Sequence, residues 1–221
     1  MRMPTRWLAA LAATLVLGIG LLVAVPTGAA ADRDKETAEE KAARKDAQEA
    51  VVQLADMMGD AKKADDIKKM AKELAERMIK ADIGEDAVKP VMSPLRLRDK
   101  GGLGVGSKAG VYDPDGIEAK IMALAKKKLG AADLKKQADD IAQLASVTAA
   151  IAEVAELHAP PKKVGPKDPK DWRKWSNEMR EVALDLAKAV KKAKPDPDEV
   201  KKVATKLNGT CTDCHDKFRP K

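Results

Sequence analysis

The chain has 221 residues, 44% hydrophobic and 35% charged, with 42 Lys and Arg against 35 Asp and Glu for a net charge of +7. The charge is high but well mixed, which excludes a disordered polyion, and it is too modest and too interleaved with acid to argue for nucleic acid, for which no motif is present. Only three Trp, one Tyr and one Phe occur, and β-branched residues are sparse, so a sandwich or barrel is excluded in favour of an all-α chain; two Cys exclude a disulfide scaffold.

Arg2 and Arg6 precede an apolar run from Trp7 to Val25, followed by Pro26-Thr27-Gly28 and then Ala29-Ala30-Ala31 before Asp32. A basic start, an apolar middle and a small-residue site predict a signal peptide over residues 1–31, cut after Ala31. The expectation is then a single helical domain, residues 32–221, in the periplasm or another exported, oxidising space. The same run is long enough for an uncleaved N-terminal membrane anchor, the alternative reading.

Thr37 and Glu40 form a possible capping box. It opens a charged, Ala-rich helix to about Met58, with Ala47, Val51, Leu54 and Met58 on one stripe and Gly59 at its end. A second helix spans about Ala64 to Ala81, with Ile67, Met70 or Ala71, Leu74 and Met78 facing inward. Residues 83–116 read as an irregular loop with Pro90, Pro94, Pro114 and the glycine-rich piece Gly101-Gly102-Leu103-Gly104-Val105-Gly106. That piece follows no strand and lacks the ending of a phosphate loop, so it reads as a flexible surface loop. Its length suggests that it covers a site or a partner surface.

Helical pattern returns over Ile117 to Leu129, and a long helix is predicted from about Ala131 to His158, stopped by Pro160-Pro161. Asp168-Pro169 is an N-cap followed by Pro at the first helical position. The helix from Pro169 to Ala193 carries Trp172, Trp175, Met179, Val182, Leu186, Ala189 and Ala193 at alternating threes and fours, the seam of a bundle. Asp196 caps the last helix, whose stripe is Val200, Val203, Leu207, Cys211, Cys214 and Phe218. Short connections make the last three long helices antiparallel neighbours.

Cys211-Thr212-Asp213-Cys214-His215 is C-x-x-C-H, the attachment motif of a c-type haem. Two thiols three apart share a helical face, each able to add to a haem vinyl group as a thioether, and His215 stands one turn from Cys211 with its imidazole toward the iron. The alternatives are a redox disulfide and a zinc site. A thioredoxin-type pair belongs at a helix start in a βαβ setting, whereas this one is near the end of a helix. Zinc would need further ligands, and His158 is the only other His, with no other Cys.

The ending Cys211-x-x-Cys214-His215-x-x-Phe218-Arg219 at the carboxyl end of a helical chain resembles the class II cytochromes c, the cytochrome c′ group. The resemblance covers mainly Asp168 to Arg219. It implies a four-helix bundle with the motif in its last helix; the first half then adds extra N-terminal helical segments and the long loop. It further implies one covalent haem c on Cys211 and Cys214, His215 as proximal iron ligand, and Arg219 near the haem edge, where its charge would offset a propionate. Phe218 would pack as core against the porphyrin.

In an up-down-up-down bundle Trp172, Trp175 and His158 fall at the haem end. The Trp pair is expected against the porphyrin. His158, in phase with Ile141, Leu144, Thr148, Ile151 and Ala155, is a candidate distal ligand; a C-cap or surface role is its ordinary alternative. Met57, Met58, Met92 and Met179 offer thioethers, although Met at helical spacing is usually core. A sixth protein ligand would make a closed one-electron carrier; an apolar vacancy would make a pentacoordinate cytochrome that binds a gas such as nitric oxide. No acid–base or nucleophile constellation is present, so an enzyme is not expected. The expected partners are the cytochrome c maturation machinery and a redox protein, which, if acidic, Lys126 to Lys128, Lys191, Lys192, Lys201 and Lys202 would steer. A homodimer is plausible by resemblance alone.

Overall fold

Local capping signals in the sequence begin three of the eight α-helices where they are found in the computed structural model, which describes residues 36–81 and 87–218. Helix α1 (Ala38–Ala55) starts at Thr37, whose hydroxyl accepts from the Glu40 amide while the Glu40 carboxylate accepts from the Thr37 amide. These reciprocal bonds satisfy two amides that the helix itself leaves unpaired. Gly59 takes the left-handed conformation (φ 89°) just past the helix end, a backbone shape that costs glycine nothing. Helix α2 (Ala64–Lys80) follows. Helix α7 (Pro169–Lys191) has the Asp168 carboxylate accepting from the Lys170 amide at 2.9 Å, and α8 (Pro197–Phe218) has Asp196 accepting from the Asp198 amide at 3.0 Å. Proline at the first position of each forfeits only an amide that had no helical partner.

The long helix expected over 131–158 is two helices, α5 (Ala131–Lys136) and α6 (Ala138–Glu156). Gln137 leaves helical geometry (φ −100°, ψ 4°), and its side-chain oxygen accepts from the Lys120 ammonium on α4 (Ile117–Lys126). A tertiary contact sits at the break, where the apolar period gives no warning. Ala193, expected on the inner stripe of α7, lies beyond the helix and is exposed.

The core is built around α6. Ile141, Leu144, Thr148, Ile151 and Ala155 are buried, as expected, but so are Ala142, Ala145, Val147, Ala149, Ala150, Ala152 and Val154. A helix apolar on every side must be covered on every side. Here α7 covers the largest share, and α1, α2 and the short helix α3 (Lys89–Met92) cover the rest. Its many alanines let the neighbours approach closely. Helix α7 packs on α8, and α8 packs on α4. Helices α6, α7, α8 and α4 are thus the four members of a bundle that stays open between α4 and α6. The described residues contain no strand, only two isolated bridges, Leu97 with Gly116 and Val164 with Lys167.

The stretch expected as an irregular loop contains α3, then 3₁₀ turns at Ser93–Leu95 and Arg98–Lys100. It is a built piece of structure. The Arg98 guanidinium donates to Asp115 (2.7 Å) and to the Gly106 carbonyl (2.9 Å), and Asp115 also accepts from the Val105 amide (2.7 Å). Gly104 and Val105 are buried, so the glycine-rich piece is not a flexible surface loop. A Cβ at Gly104 (φ 72°) would fall 2.4 Å from Arg98 Nε, which is why this close passage needs glycine. Below the loop, the Tyr112 hydroxyl donates to Asp140 at 2.6 Å, and Lys120 sits 4.3 Å from the Tyr112 ring centre.

The described residues belong to one compact unit, Glu36–Lys221. No helix among them is long and apolar enough to cross a membrane. The leader expected over residues 1–31, and Arg219, lie outside the described residues.

Candidate functional site

On α8, residues 208, 211, 214 and 215 recur at threes and fours, so Asn208, Cys211, Cys214 and His215 share one face. That face opens onto a narrow cleft. The opposing walls are Glu118 and Ile121 of α4, Thr148 of α6 and Met179 of α7, with Met92 and Leu95 from the α3 segment between α6 and α4. The cleft therefore occupies the side on which the bundle does not close. Its lining is largely apolar: Ile121 and Met179 are buried, and the Thr148 hydroxyl is already engaged by the Leu144 carbonyl at 2.8 Å.

Both cysteines are free thiols, half-buried in the cleft wall. Burial pushes the Cys211 thiol up to about 11, helped by the negative charge of Glu118. Burial raises Cys214 to about 11 as well. Redox-active C-x-x-C pairs work through a lowered thiol pKa, so the environment here is the reverse of theirs. A structural zinc site needs four ligands, and among the described residues no group of three or more His, Cys, Asp and Glu is placed to hold a metal ion. What the site offers is two protonated thiols and the exposed His215 imidazole along one edge of an apolar cleft.

Trp172, Trp175 and Phe218 form a cluster of their own at the end of the bundle that carries the motif. Phe218 meets Trp172 edge-on at 5.0 Å and Trp175 at 5.9 Å. The Trp172 indole donates to the Ala155 carbonyl at 2.6 Å, and Lys217 pairs with Asp171. These contacts tie the last turn of α8 to the first turn of α7 and the end of α6. None of the three rings is among the residues that line the cleft. Phe218 follows Cys214 by four residues, so the cluster lies about one turn further along α8 and anchors the end that carries the motif.

His158 is likewise not among the lining residues. It follows α6, its amide donating to the Ala155 carbonyl at 3.0 Å. Its Nε2 is buried without a hydrogen-bond partner among the described residues, and burial lowers its pKa, favouring the neutral ring. Of the four methionines singled out in the sequence, Met92 and Met179 line the cleft, and Met57, Met58 and Met92 pack partly buried against the core.

Residues 117–219 match the family model of cytochrome C′. The C-terminal part of the chain is cytochrome c′-like. The motif-bearing part is thus similar to c-type haem cytochromes, a family built as a four-helix bundle. No curated protein and no solved structure matches the chain. The cytochrome c′-like part begins at the first residue of α4 and includes α4 to α8. Ile121, Thr148, Met179, Asn208, Cys211, Cys214 and His215 thus lie inside it, whereas Met92 and Leu95 lie outside.

Sequence reasoning missed Leu95, Glu118, Ile121 and Asn208 as site residues. Asn208 had a local signal, since it stands one turn before Cys211 on the same face. The other three are brought to the cleft only by packing. The residues present fit a haem: an apolar cleft, two thiols and an imidazole on one helix face, and further apolar side chains opposite.

Proposed function

We propose that the protein is an exported monohaem c-type cytochrome that carries single electrons and is not an enzyme. The observation that carries this reading is the placement of Cys211, Cys214 and His215 on one face of α8, opening into an apolar cleft. Cys211 and Cys214 would hold the haem: each S–H adds across a vinyl C=C, the sulfur bonding one carbon and the hydrogen passing to the other, with no external oxidant or reductant. His215 would be the proximal iron ligand. When bound, the haem supplies an iron that takes up one electron from a redox partner protein and passes it to another. The chain's own part is to fix the axial ligands, exclude water and set the potential.

The matched family supports haem c, and the expected leader over residues 1–31 supports export, with Asp32 as the first mature residue. The test is expression with cytochrome maturation factors, followed by mass spectrometry and optical spectroscopy. The expected result is one covalent haem, a Soret band and a low-spin spectrum unaffected by carbon monoxide, with covalent haem lost in C211A/C214A. A protein that acquires no haem would overturn the reading. A high-spin spectrum that shifts with carbon monoxide would replace the carrier with a gas-binding cytochrome.

A further inference from the structure

The cleft receives a thioether from a part of the chain that the cytochrome c′-like region does not include. Resting on the haem reading above, we propose that Met92 is the sixth ligand to the iron, opposite His215, so that the N-terminal half completes the haem site.

Two methionines line the cleft, and their settings differ. Met179 lies on the inner stripe of α7 with Val182 and Leu186, all buried in the common core. A methionine there is filling space between helices. Met92 is half-buried at the end of a four-residue helix whose neighbours are fixed. Pro90, Val91, Ser93 and Pro94 are all buried. The Ser93 hydroxyl donates to the Pro90 carbonyl at 2.7 Å. The Leu103 amide donates to the Pro94 carbonyl at 3.1 Å, while Gln48 and Arg44 of α1 hold the Gly101 carbonyl at 2.6 and 3.1 Å. Backbone and flanking residues are thus pinned from α1 and from the glycine-rich piece. Of residues 90–94, Met92 alone reaches the cleft lining.

The placement also suits a ligand from the far side. The α3 segment packs on α1, α6 and α4, and α8, which bears His215, packs on α4 and α7. Met92 and His215 therefore enter the cleft from different walls. A thioether binds iron without losing a proton, and a Met/His pair raises the potential of a c-type haem. This device would close the distal face to gases and favour the reduced carrier.

The experiment uses the full-length holoprotein, first confirmed to carry one covalent haem by mass. The wild type is expected to be low-spin and to show the weak far-red charge-transfer band of thioether-ligated ferric haem. Met92→Leu, which keeps the apolar volume, is expected to lose that band, become high-spin, bind carbon monoxide and show a lower potential, with its helical circular dichroism unchanged. Met179→Leu is expected to keep the band. Persistence of the band in Met92→Leu would overturn the inference and leave the cytochrome reading intact. A wild type whose low-spin state is lost in His158→Ala instead would do the same, and a high-spin wild type would overturn the inference together with the carrier reading. Absence of covalent haem would overturn both.

Discussion

At His158 a buried ring nitrogen, Nε2, has no hydrogen-bond partner among the described residues. A buried imidazole nitrogen without a partner is costly to charge, because protonation would strand a cation away from water. Its folded pKa is lowered from 6.5 by burial. The neutral ring is therefore compatible with folding above that value. As pH falls through 6.5 the unfolded chain takes up a proton that the folded chain resists, and stability falls. His158→Leu is expected to narrow the loss in melting temperature between pH 7.5 and pH 5.5; an unchanged loss would remove His158 as its cause. Trp172 is the opposite case, buried, hydrogen-bonded to Ala155 and edge-on to Phe218. Trp172→Ala removes a large buried side chain and one of the hydrogen bonds to the Ala155 carbonyl, so it is expected to cost about 3–5 kcal/mol in urea unfolding.

At the scale of elements, the glycine-rich part of the segment before α4 is tied down by the Arg98–Asp115 ion pair. Burial pushes the Asp115 carboxyl up, but hydrogen bonds from Arg98 and the Val105 amide outweigh it and hold it below 3.8. Its contribution is accordingly present at neutral pH and lost as pH falls through that lowered value. Asp115→Asn leaves a guanidinium without its counter-charge and is expected to cost about 1–3 kcal/mol. Faster amide exchange confined to the Leu97–Gly116 region, read by mass spectrometry, would check that the loss is local. The three helix starts at Thr37, Asp168 and Asp196 were legible because a cap is a contact between residues two or three apart. The break at Gln137 was not, since its side chain is engaged by Lys120 from another helix.

For the whole molecule, α6 sets the requirements. Its buried surface extends beyond what α7 covers, and α1, α2 and α3 supply the remainder. Residues 117–219 alone, although they are the cytochrome c′-like part, are expected to lose cooperative unfolding and to bind a hydrophobic dye, because the exposed flank of α6 would be apolar. A cooperative melt for that fragment would contradict this. The apolar cleft has the same logic, and C211S/C214S protein is expected to melt lower than the haem-loaded form. Charge is also settled at this scale. Lys128 pairs with Asp198, Lys191 with Asp139 and Lys192 with Glu199, at 2.9, 2.6 and 2.6 Å. Three of the cations expected to steer an acidic partner are therefore matched within the chain, and the rate of electron exchange with such a partner should depend only weakly on salt.

The all-helical character, the inner stripes, the caps and the shared face of Cys211, Cys214 and His215 could be read from the sequence, because each depends on residues within about one or two turns of one another and on the fixed period of a helix. Which side chains stand across from that face could not. Met92 was one of four methionines between which the sequence could not choose, and Leu95, Glu118 and Thr148 reach the cleft from elements whose meeting depends on how α6 is covered. The same holds for the rings: long-range packing sets Trp172 and Trp175 edge-on to Phe218 at one end of the bundle, and none of the three lines the cleft.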